Sequence, residues 1–170
     1  FKDRANEVNH NSHMGMIGNG NLCMESFSNF KPTINFVEEE DGNTSIRRSE
    51  MGEIHTCNLI SINLAELTSE ELEKHVALAV RALDNTIDLT VTPLKESNKH
   101  NLLYRTIGVG AMGLADYLAR EYMIYEESIN EINELFERIA LYSIKASALL
   151  AKDRGAYKAF KGSKWEGQQL

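Results

Sequence analysis

The alternation of apolar and polar positions is sharpest in residues 55–67, HTCNLISINLAEL. Ile60, Ile62 and Leu64 fall on one side of an extended chain, and polar residues such as Ser61 and Asn63 fall on the other. A period of two residues with β-branched side chains is typical of a strand whose inner face is buried. The pattern therefore predicts a short strand in this segment.

A helix is predicted directly after this strand. Its apolar residues recur at spacings of three and four, as expected for one buried helix face: Leu72, Val76, Ala79, Leu83 and Ile87. Thr68 and Glu71 have the spacing of a capping box, in which each residue satisfies a free amide of the other. Pro93 disfavours helical structure in the residue before it, so the helix is expected to end before Pro93.

Two more helices are predicted in the C-terminal half. One covers about residues 106–120, and the other begins with a second capping-box pattern at Ser128 and Glu131 and ends at Gly155. The apolar face predicted for the latter consists of Ile129, Ile132, Phe136, Ile139 and Ala146.

The N-terminal third has weaker patterns. Residues 1–35 are rich in Asn, Gly, Ser and His and predict loops with short extended pieces. Residues 38–53 are strongly charged and contain the turn signal Asp41-Gly42-Asn43, which predicts a solvated excursion with a hairpin tip. We interpret residues 38–53 as a surface insertion.

Composition narrows the functional classes. The 170 residues are 42% hydrophobic and 25% charged, which is typical of a globular protein of about one domain. The net charge is -7 and no basic run occurs, so a general nucleic-acid or anionic-membrane surface is not expected. Two cysteines do not make a disulfide framework, which favours a reducing cytoplasm. The chain starts at Phe1 and is interpreted as an excerpt of a longer protein.

The run GVGAMG at residues 108–113 matches the G-x-G-x-x-G fingerprint of dinucleotide-binding proteins. That fingerprint requires a preceding strand, and the preceding KESNKHNLLYRTI is too polar for a central parallel strand. We therefore expect these glycines to let a helix pack tightly, rather than to bind a nicotinamide or flavin.

The chemistry that the sequence offers is concentrated around Cys23. In an extended segment, Asn21, Cys23 and Glu25 would project to the same side and converge on one space. Inert packing is the ordinary fate of a free cysteine, and it is the expectation for Cys57 taken alone. For Cys23, two reactive roles are open: a nucleophilic thiolate beside a base, or a neutral thiol that transfers a hydrogen atom while a carboxylate takes a proton.

Metal binding is a further alternative for the two cysteines. The available ligands are His10, His13, Cys23, His55 and Cys57, but they include no tight C-x-x-C or H-x-x-x-H pair. No metal site is expected.

The motifs, taken in order, resemble the large (α) subunit of ribonucleotide reductase, class I. FKDRANEVNHNSHMGMIGNGNLCMES resembles the segment around that family's radical cysteine, and HTCNLISINLAEL resembles the segment with one of its two substrate-reducing cysteines. RALDNTIDL and RTIGVGAMGLADYLA are similar to the helices that follow. The resemblance covers nearly the whole chain.

This resemblance implies roles for four residues. Cys23 would become a transient thiyl radical that removes the 3′ hydrogen of the ribose, and Glu25 would accept the proton of the 3′ hydroxyl. Asn21 would hydrogen-bond the sugar hydroxyls. Cys57 would be one member of the redox-active pair that reduces the 2′ carbon and ends as a disulfide, its partner lying outside this segment.

The resemblance also implies an architecture and partners. The fold would be α/β, part of a ten-stranded α/β barrel and helix-rich in its C-terminal half, with residues 1–170 forming one segment of the catalytic barrel domain. A metal-containing small subunit would supply the radical, thioredoxin or glutaredoxin would supply electrons, and ATP and dNTP effectors would bind elsewhere in the full chain. The segment itself would hold no cofactor or metal, and would be inactive alone.

The substrate implied is a ribonucleoside diphosphate, reduced in the cytoplasm for DNA synthesis, with no direct contact to nucleic acid or membrane. Two departures from the family pattern occur. Ser26-Phe27 follows Glu25 where an apolar aliphatic residue is more usual, and Cys23 and Cys57 are 34 positions apart, with residues 38–53 inserted between them.

Two other interpretations stay open at this point. One is an adenosylcobalamin-dependent (class II) reductase, which shares the Asn-x-Cys-x-Glu core and has no small subunit. The other, from a different class of protein, is a non-catalytic helical interaction domain whose cysteines only pack.

Overall fold

The computed structural model describes residues 2–40 and 42–168, with side chains at all of these except 36–40 and 45–49. The helices are α1 (Lys2–Glu7), α2 (Leu72–Leu89), α3 (Lys95–Tyr104), α4 (Leu114–Arg120) and α5 (Ile129–Arg154). The strands are β1 (Ile34–Glu40), β2 (Asn43–Glu50), β3 (Leu59–Asn63) and β4 (Gly108–Met112). Short 3-10 turns occur at Ser12–Met14, Leu64–Glu66, Tyr125–Glu127 and Lys158–Phe160.

Helix and strand are mixed in the chain, and the C-terminal half is rich in helix, as predicted. The strands of the described residues form two separate two-stranded sheets, β1 with β2 and β3 with β4, and no closed barrel is present among them. The ten-stranded barrel therefore stays a prediction. The residues divide into two compact units: a first unit of residues 2–57, 90–106 and 157–168, and a second unit of residues 58–89 and 107–156.

The second unit contains the strand and the amphipathic helix that the sequence predicts. β3 occupies Leu59–Asn63, with Ile62 and the following Leu64 buried as expected. α2 ends at Leu89, before Pro93. All five residues of its predicted apolar stripe are buried, together with Val80. Local periodicity decided this part of the fold, because burying such a stripe stabilises the helix more than propensity does.

The capping box of α2 is formed only in part. Glu71 accepts hydrogen bonds from both the backbone N–H and the hydroxyl of Thr68, at 3.2 and 3.0 Å. The Thr68 hydroxyl thus donates to the Glu71 carboxylate. The helix itself begins at Leu72. These bonds lower the pKa of the Glu71 carboxyl.

The glycine run at residues 108–113 corrects the sequence prediction. Gly108–Met112 is strand β4, parallel to β3 with Leu59 opposite Gly108, and the helix α4 begins only at Leu114. A Cβ on Gly108 would lie 2.6 Å from Leu59 Cδ2, so a side chain there would require the Leu59 side chain to shift. Gly108 and Gly110 lie within a strand that follows the helix α3, and Gly113 lies between this strand and α4. The strand-then-glycine order of a dinucleotide fingerprint is therefore not met.

Helix α5 begins after Ser128 and ends before Gly155, as predicted. The Ser128 hydroxyl donates to the carbonyl of Ile124 at 2.7 Å and makes no capping hydrogen bond, so the second predicted capping box is wrong. The buried face is also rotated from the predicted one. Leu135, Ile139 and Ala146 are buried, whereas Ile129 and Phe136 are exposed.

The core of the second unit is apolar. It joins β3 and its following turn to α2 and α5 through one cluster of buried side chains: Ile62, Leu64, Leu72, Val76, Ala79, Leu135 and Ile139. Among the residues described, no helix combines the length and apolar character needed to cross a membrane.

The first unit has a different interior. Most of its buried residues are polar: Asn9, Asn11, Ser28, Asn29, Glu53, Glu96, Ser97, His100, Asn101 and Ser163. Buried polar groups are costly unless they are hydrogen-bonded, so this interior is specified by directed bonds more than by apolar area. Lys2–Glu7 is helical, which corrects the prediction of loops for residues 1–35.

The charged segment of the first unit forms a hairpin. β1 and β2 pair antiparallel from Ile34 opposite Glu50 to Glu40 opposite Asn43. Of the predicted turn signal, Gly42 lies between the two strands and Asn43 begins β2, while Asp41 lies outside the described residues. The assignment of residues 38–53 as a surface insertion stays a prediction. After the hairpin, a Cβ on Gly52 would lie 2.3 Å from the Lys31 carbonyl oxygen, so only glycine fits where the two segments meet.

Candidate functional site

The segment around Cys23 is a closed turn. Gly20 and Phe27 form an antiparallel bridge, the Asn21 N–H donates to the Ser26 carbonyl at 3.1 Å, and the Met24 N–H donates to the Asn21 carbonyl at 3.1 Å. Met24 has a φ of 64°, in the left-handed region that tight turns use. We call residues 20–27 the cysteine turn. The prediction that Asn21, Cys23 and Glu25 share one side of an extended strand is therefore wrong.

The side chain of Asn21 explains this geometry. Its Oδ1 accepts the Ser26 N–H at 2.9 Å, and its Nδ2 donates to Glu25 Oε1. Asparagine side chains favour turns because they hydrogen-bond nearby backbone groups in this way. The amide and the carboxylate do meet, as the sequence predicts, but they meet across a turn instead of along a strand.

Cys23 lies in the cysteine turn, between Asn21 and Glu25 in the sequence. Its thiol is free and the residue is exposed, as is Cys57, which is also a free thiol. Cys57 immediately precedes the strand region of the second unit, and the neighbouring Thr56 hydroxyl donates to Asn101 Oδ1 at 2.5 Å. The redox role of Cys57 and a partner cysteine outside the segment stay predictions.

A histidine that the sequence offered only as a possible metal ligand contacts the cysteine turn. His55 Nε2 and Ser26 Oγ lie 2.6 Å apart. Ser26 is the residue that departs from the family pattern, and in this chain its hydroxyl has a partner. The His55 ring also meets His100 edge to face, with ring centroids 4.8 Å apart. The sequence signal that could have indicated this contact is the position of His55, two residues before Cys57.

An ion pair between a buried carboxylate and a partly exposed lysine fixes the segment that leads to His55. Glu53 is almost fully buried; its Oε1 lies 2.9 Å from Lys99 Nζ of α3, and its Oε2 accepts the Lys31 N–H at 2.6 Å. Lys99 Nζ also donates to the carbonyl of Met51. A buried carboxylate requires such partners, and removing one of them would leave an uncompensated charge.

His100 is fully buried behind His55. Its Nε2 lies 3.0 Å from Ser28 Oγ, and its ring packs on Tyr104 with centroids 4.8 Å apart. Burial is the main cause that lowers the pKa of His100 to about 4, and repulsion from His55 in its protonated form lowers it further. Burial also raises the pKa of Tyr104 to about 12, with the charge of Glu53 adding to the effect. Both side chains are therefore neutral at pH 7.

The burial of His100 predicts that the stability of the first unit decreases in acid. The folded pKa of His100 is about 4 and its ordinary value is 6.5, so between these pH values the unfolded chain binds a proton that the folded chain does not. Stability from neutral His100 is present above pH 6.5 and falls as the pH drops towards 4, by up to about 3 kcal/mol. Hydrogen exchange of α3, corrected for intrinsic rates, should show this loss in the full-length protein. His100→Gln should flatten the slope; an unchanged slope in that variant contradicts the assignment.

The first unit also has a cavity of about 420 Å³. Its lining includes Val8, Ile17 and Phe27, with Ser28 and Asn29 directly after the cysteine turn. Asn21, Cys23, Glu25 and Cys57 do not line it. Phe27 of the cysteine turn thus lines the cavity, whereas the four candidate side chains lie outside its lining.

Comparison with known proteins decides the family of the chain. The model of the family described as "Ribonucleotide reductase, barrel domain" matches residues 1–170. The chain belongs to this ribonucleotide reductase family. The cysteine turn and the Cys57 segment are thus parts of a reductase barrel domain, and the mixture of helix and strand agrees with that assignment.

Curated relatives align with nearly the whole length of the chain. Ribonucleoside-diphosphate reductase subunit alpha of Synechocystis is 46% identical over 166 residues, covering 98% of the chain and 19% of the relative. The protein of the same name from Helicobacter pylori is 36% identical, covering 97% of the chain and 26% of the relative. The large chain of the reductase from Neurospora crassa is 30% identical, with 96% and 17% covered. The chain thus spans about a fifth to a quarter of these relatives.

Proposed function

We propose that this chain is the catalytic segment of a ribonucleoside-diphosphate reductase large subunit, an oxidoreductase that makes deoxyribonucleotides for DNA synthesis. The observation that carries the proposal is the Asn21–Glu25 hydrogen bond across a turn that presents Cys23, in a chain that matches the reductase barrel family throughout. An amide, a thiol and a carboxylate are thereby offered together on an exposed turn.

The composition of the cysteine turn favours hydrogen-atom chemistry over nucleophilic attack. A reactive thiolate is usually stabilised by a positive charge or a helix N-terminus, whereas the turn supplies an amide and a carboxylate. In the proposed reaction a thiyl radical at Cys23 Sγ takes the hydrogen atom from C3′ of the ribose. Glu25 takes the proton of the 3′ hydroxyl, and Asn21 holds the sugar hydroxyls.

The reduction is completed by a pair of thiols. Cys57 and a cysteine elsewhere in the full chain give two electrons and protons, the 2′ hydroxyl leaves as water, and the two sulfurs end as a disulfide. The hydrogen atom returns from Cys23 to C3′, which restores the thiyl radical, and the proton returns from Glu25 to the 3′ oxygen. Thioredoxin or glutaredoxin then reduces the disulfide for the next turnover.

The proposed partners follow from this scheme. The radical originates in a metal-containing small subunit, the substrate is a ribonucleoside diphosphate, and ATP or dNTP effectors bind elsewhere in the full-length protein, in the cytoplasm. Two alternatives are not favoured: an adenosylcobalamin-dependent reductase, and a non-catalytic helical domain. The relatives that match almost the whole chain are named ribonucleoside-diphosphate reductase subunit alpha.

Replacing Cys57 by serine in the full-length protein tests the proposal. The small subunit, ribonucleoside diphosphate labelled with deuterium at C3′ and a thiol reductant would be supplied. Because Cys23 and Glu25 are intact, cleavage of the C3′–deuterium bond should persist. Formation of deoxynucleotide should be lost, because the electrons for the 2′ carbon are missing. Wild-type production of deoxynucleotide by this variant would remove Cys57 from the reaction.

A further inference from the structure

One side-chain contact joins the cysteine turn to the segment that ends in Cys57. The two segments belong to the same unit, and the Ser26–His55 pair spans 29 positions of sequence. Ser26 directly follows Glu25, and His55 is two residues before Cys57. The 2.6 Å separation of Ser26 Oγ and His55 Nε2 therefore links the residues next to the two proposed reaction centres.

The imidazole of His55 is held so that only one of its nitrogens is available for this bond. In the described part of the chain, Nδ1 is buried and has no hydrogen-bond partner. A buried N–H without an acceptor is costly, so the tautomer with its proton on Nε2 is favoured, and Nε2–H donates to Ser26 Oγ. The ring is supported from behind by the edge-to-face contact with His100, which is itself fully buried.

The environment also keeps this imidazole uncharged. Burial lowers the pKa of His55, and the negative charge of Glu25 opposes this only in part. A neutral donor can orient Ser26 without placing a positive charge beside Glu25. A positive charge there would weaken Glu25 as a proton acceptor.

We propose that His55 is a positioning residue for the reductase reaction, which holds the cysteine turn in register with the Cys57 segment through its hydrogen bond to Ser26. The inference rests on the proposed function, since it assigns a purpose to the geometry of Cys23 and Glu25. The turn is bonded within itself by Asn21, so losing the Ser26 contact leaves its internal shape intact and changes its placement. Misplacement of reacting groups lowers the rate of chemistry more than it lowers binding.

The test uses the full-length large subunit with its small subunit, and measures the first turnover of pre-reduced enzyme. His55→Ala and Ser26→Ala should each lower that rate about tenfold, with KM for the ribonucleoside diphosphate changed less than about twofold. The double variant should be no slower than either single variant, because both remove the same bond. His55→Gln places an amide nitrogen near the position of Nε2, and should recover the rate to within about threefold of the wild type. His75→Ala removes a histidine on α2, outside this network, and is the matched control.

Other outcomes overturn the inference. If His55→Ala and Ser26→Ala turn over like the wild type, or if their effects multiply in the double variant, His55 does not act through Ser26. If hydrogen exchange shows that His55→Ala loses structure, the rates of His55→Gln and Ser26→Ala test the positioning role instead. A tenfold loss of rate in His55→Gln contradicts the proposal. Cys23→Ser distinguishes a failure of the proposed function from a failure of the positioning role. If Cys23→Ser retains turnover, the proposed function fails. If it is inactive while the His55 and Ser26 variants are normal, only the positioning role fails.

Discussion

Replacing Cys23 by serine in the full-length reductase is expected to abolish deoxynucleotide formation while the ribonucleoside diphosphate still binds. Serine keeps the size and polarity of the side chain in an exposed turn. The O–H bond is much stronger than the S–H bond, so the hydroxyl cannot serve as the hydrogen-atom carrier. Product formation would be measured by chromatography after incubation with the small subunit and reductant, and substrate binding by equilibrium dialysis.

Cys57→Ser is the matched control for this variant, because it also removes one exposed thiol from the chain. With substrate labelled at C3′, the Cys57→Ser protein should still cleave the C3′–deuterium bond, whereas the Cys23→Ser protein should not. Retained turnover in Cys23→Ser would refute the radical role. Loss of C3′ cleavage in both variants would contradict the division of labour between the two cysteines.

The second large effect is expected at Glu25. Glu25→Gln should slow deoxynucleotide formation on the order of 10²- to 10⁴-fold, because a neutral amide cannot take the proton of the 3′ hydroxyl. The glutamine carbonyl can still accept the hydrogen bond from Asn21 Nδ2, so the turn should keep its shape. The substitution therefore separates proton transfer from positioning.

The rate of the first turnover of pre-reduced enzyme would measure the effect of Glu25→Gln. Glu126→Gln removes the same charge from an exposed site in the second unit, and should leave the rate unchanged. An unaltered rate in Glu25→Gln would exclude this carboxylate from the mechanism. A slow Glu126→Gln would instead attribute the loss to net charge.

Local sequence was a good guide in the second unit because neighbouring residues decide a helix stripe. The spacing from Leu72 to Ile87 predicts α2 with its buried face, and Pro93 and Gly155 correctly limit α2 and α5. The same reasoning failed for residues 108–112. Whether a glycine-rich stretch becomes helix or strand depended on its parallel partner β3, and that pairing is not visible in the stretch itself.

In the first unit, Asn21, Cys23 and Glu25 were predicted as site residues from the chemistry of their side chains. That prediction does not depend on the extended conformation that was also predicted for this segment. The structure makes a turn because the Asn21 side chain bonds the Ser26 N–H. The contacts of Ser26 with His55 and of Ser28 with His100 could not be predicted, since these pairs are 29 and 72 positions apart. Such contacts form only when distant segments fold together.

The sequence by itself determined the family and the helices whose apolar spacing repeats every turn, and it predicts the site chemistry of Asn21, Cys23 and Glu25. Only the tertiary structure decided that Gly108–Met112 is a strand and that His55 reaches Ser26. The physical reason is the range of the forces involved. Periodic burial is recorded in adjacent residues, whereas strand pairing and side-chain hydrogen bonds depend on residues that the fold alone brings within about 3 Å of each other.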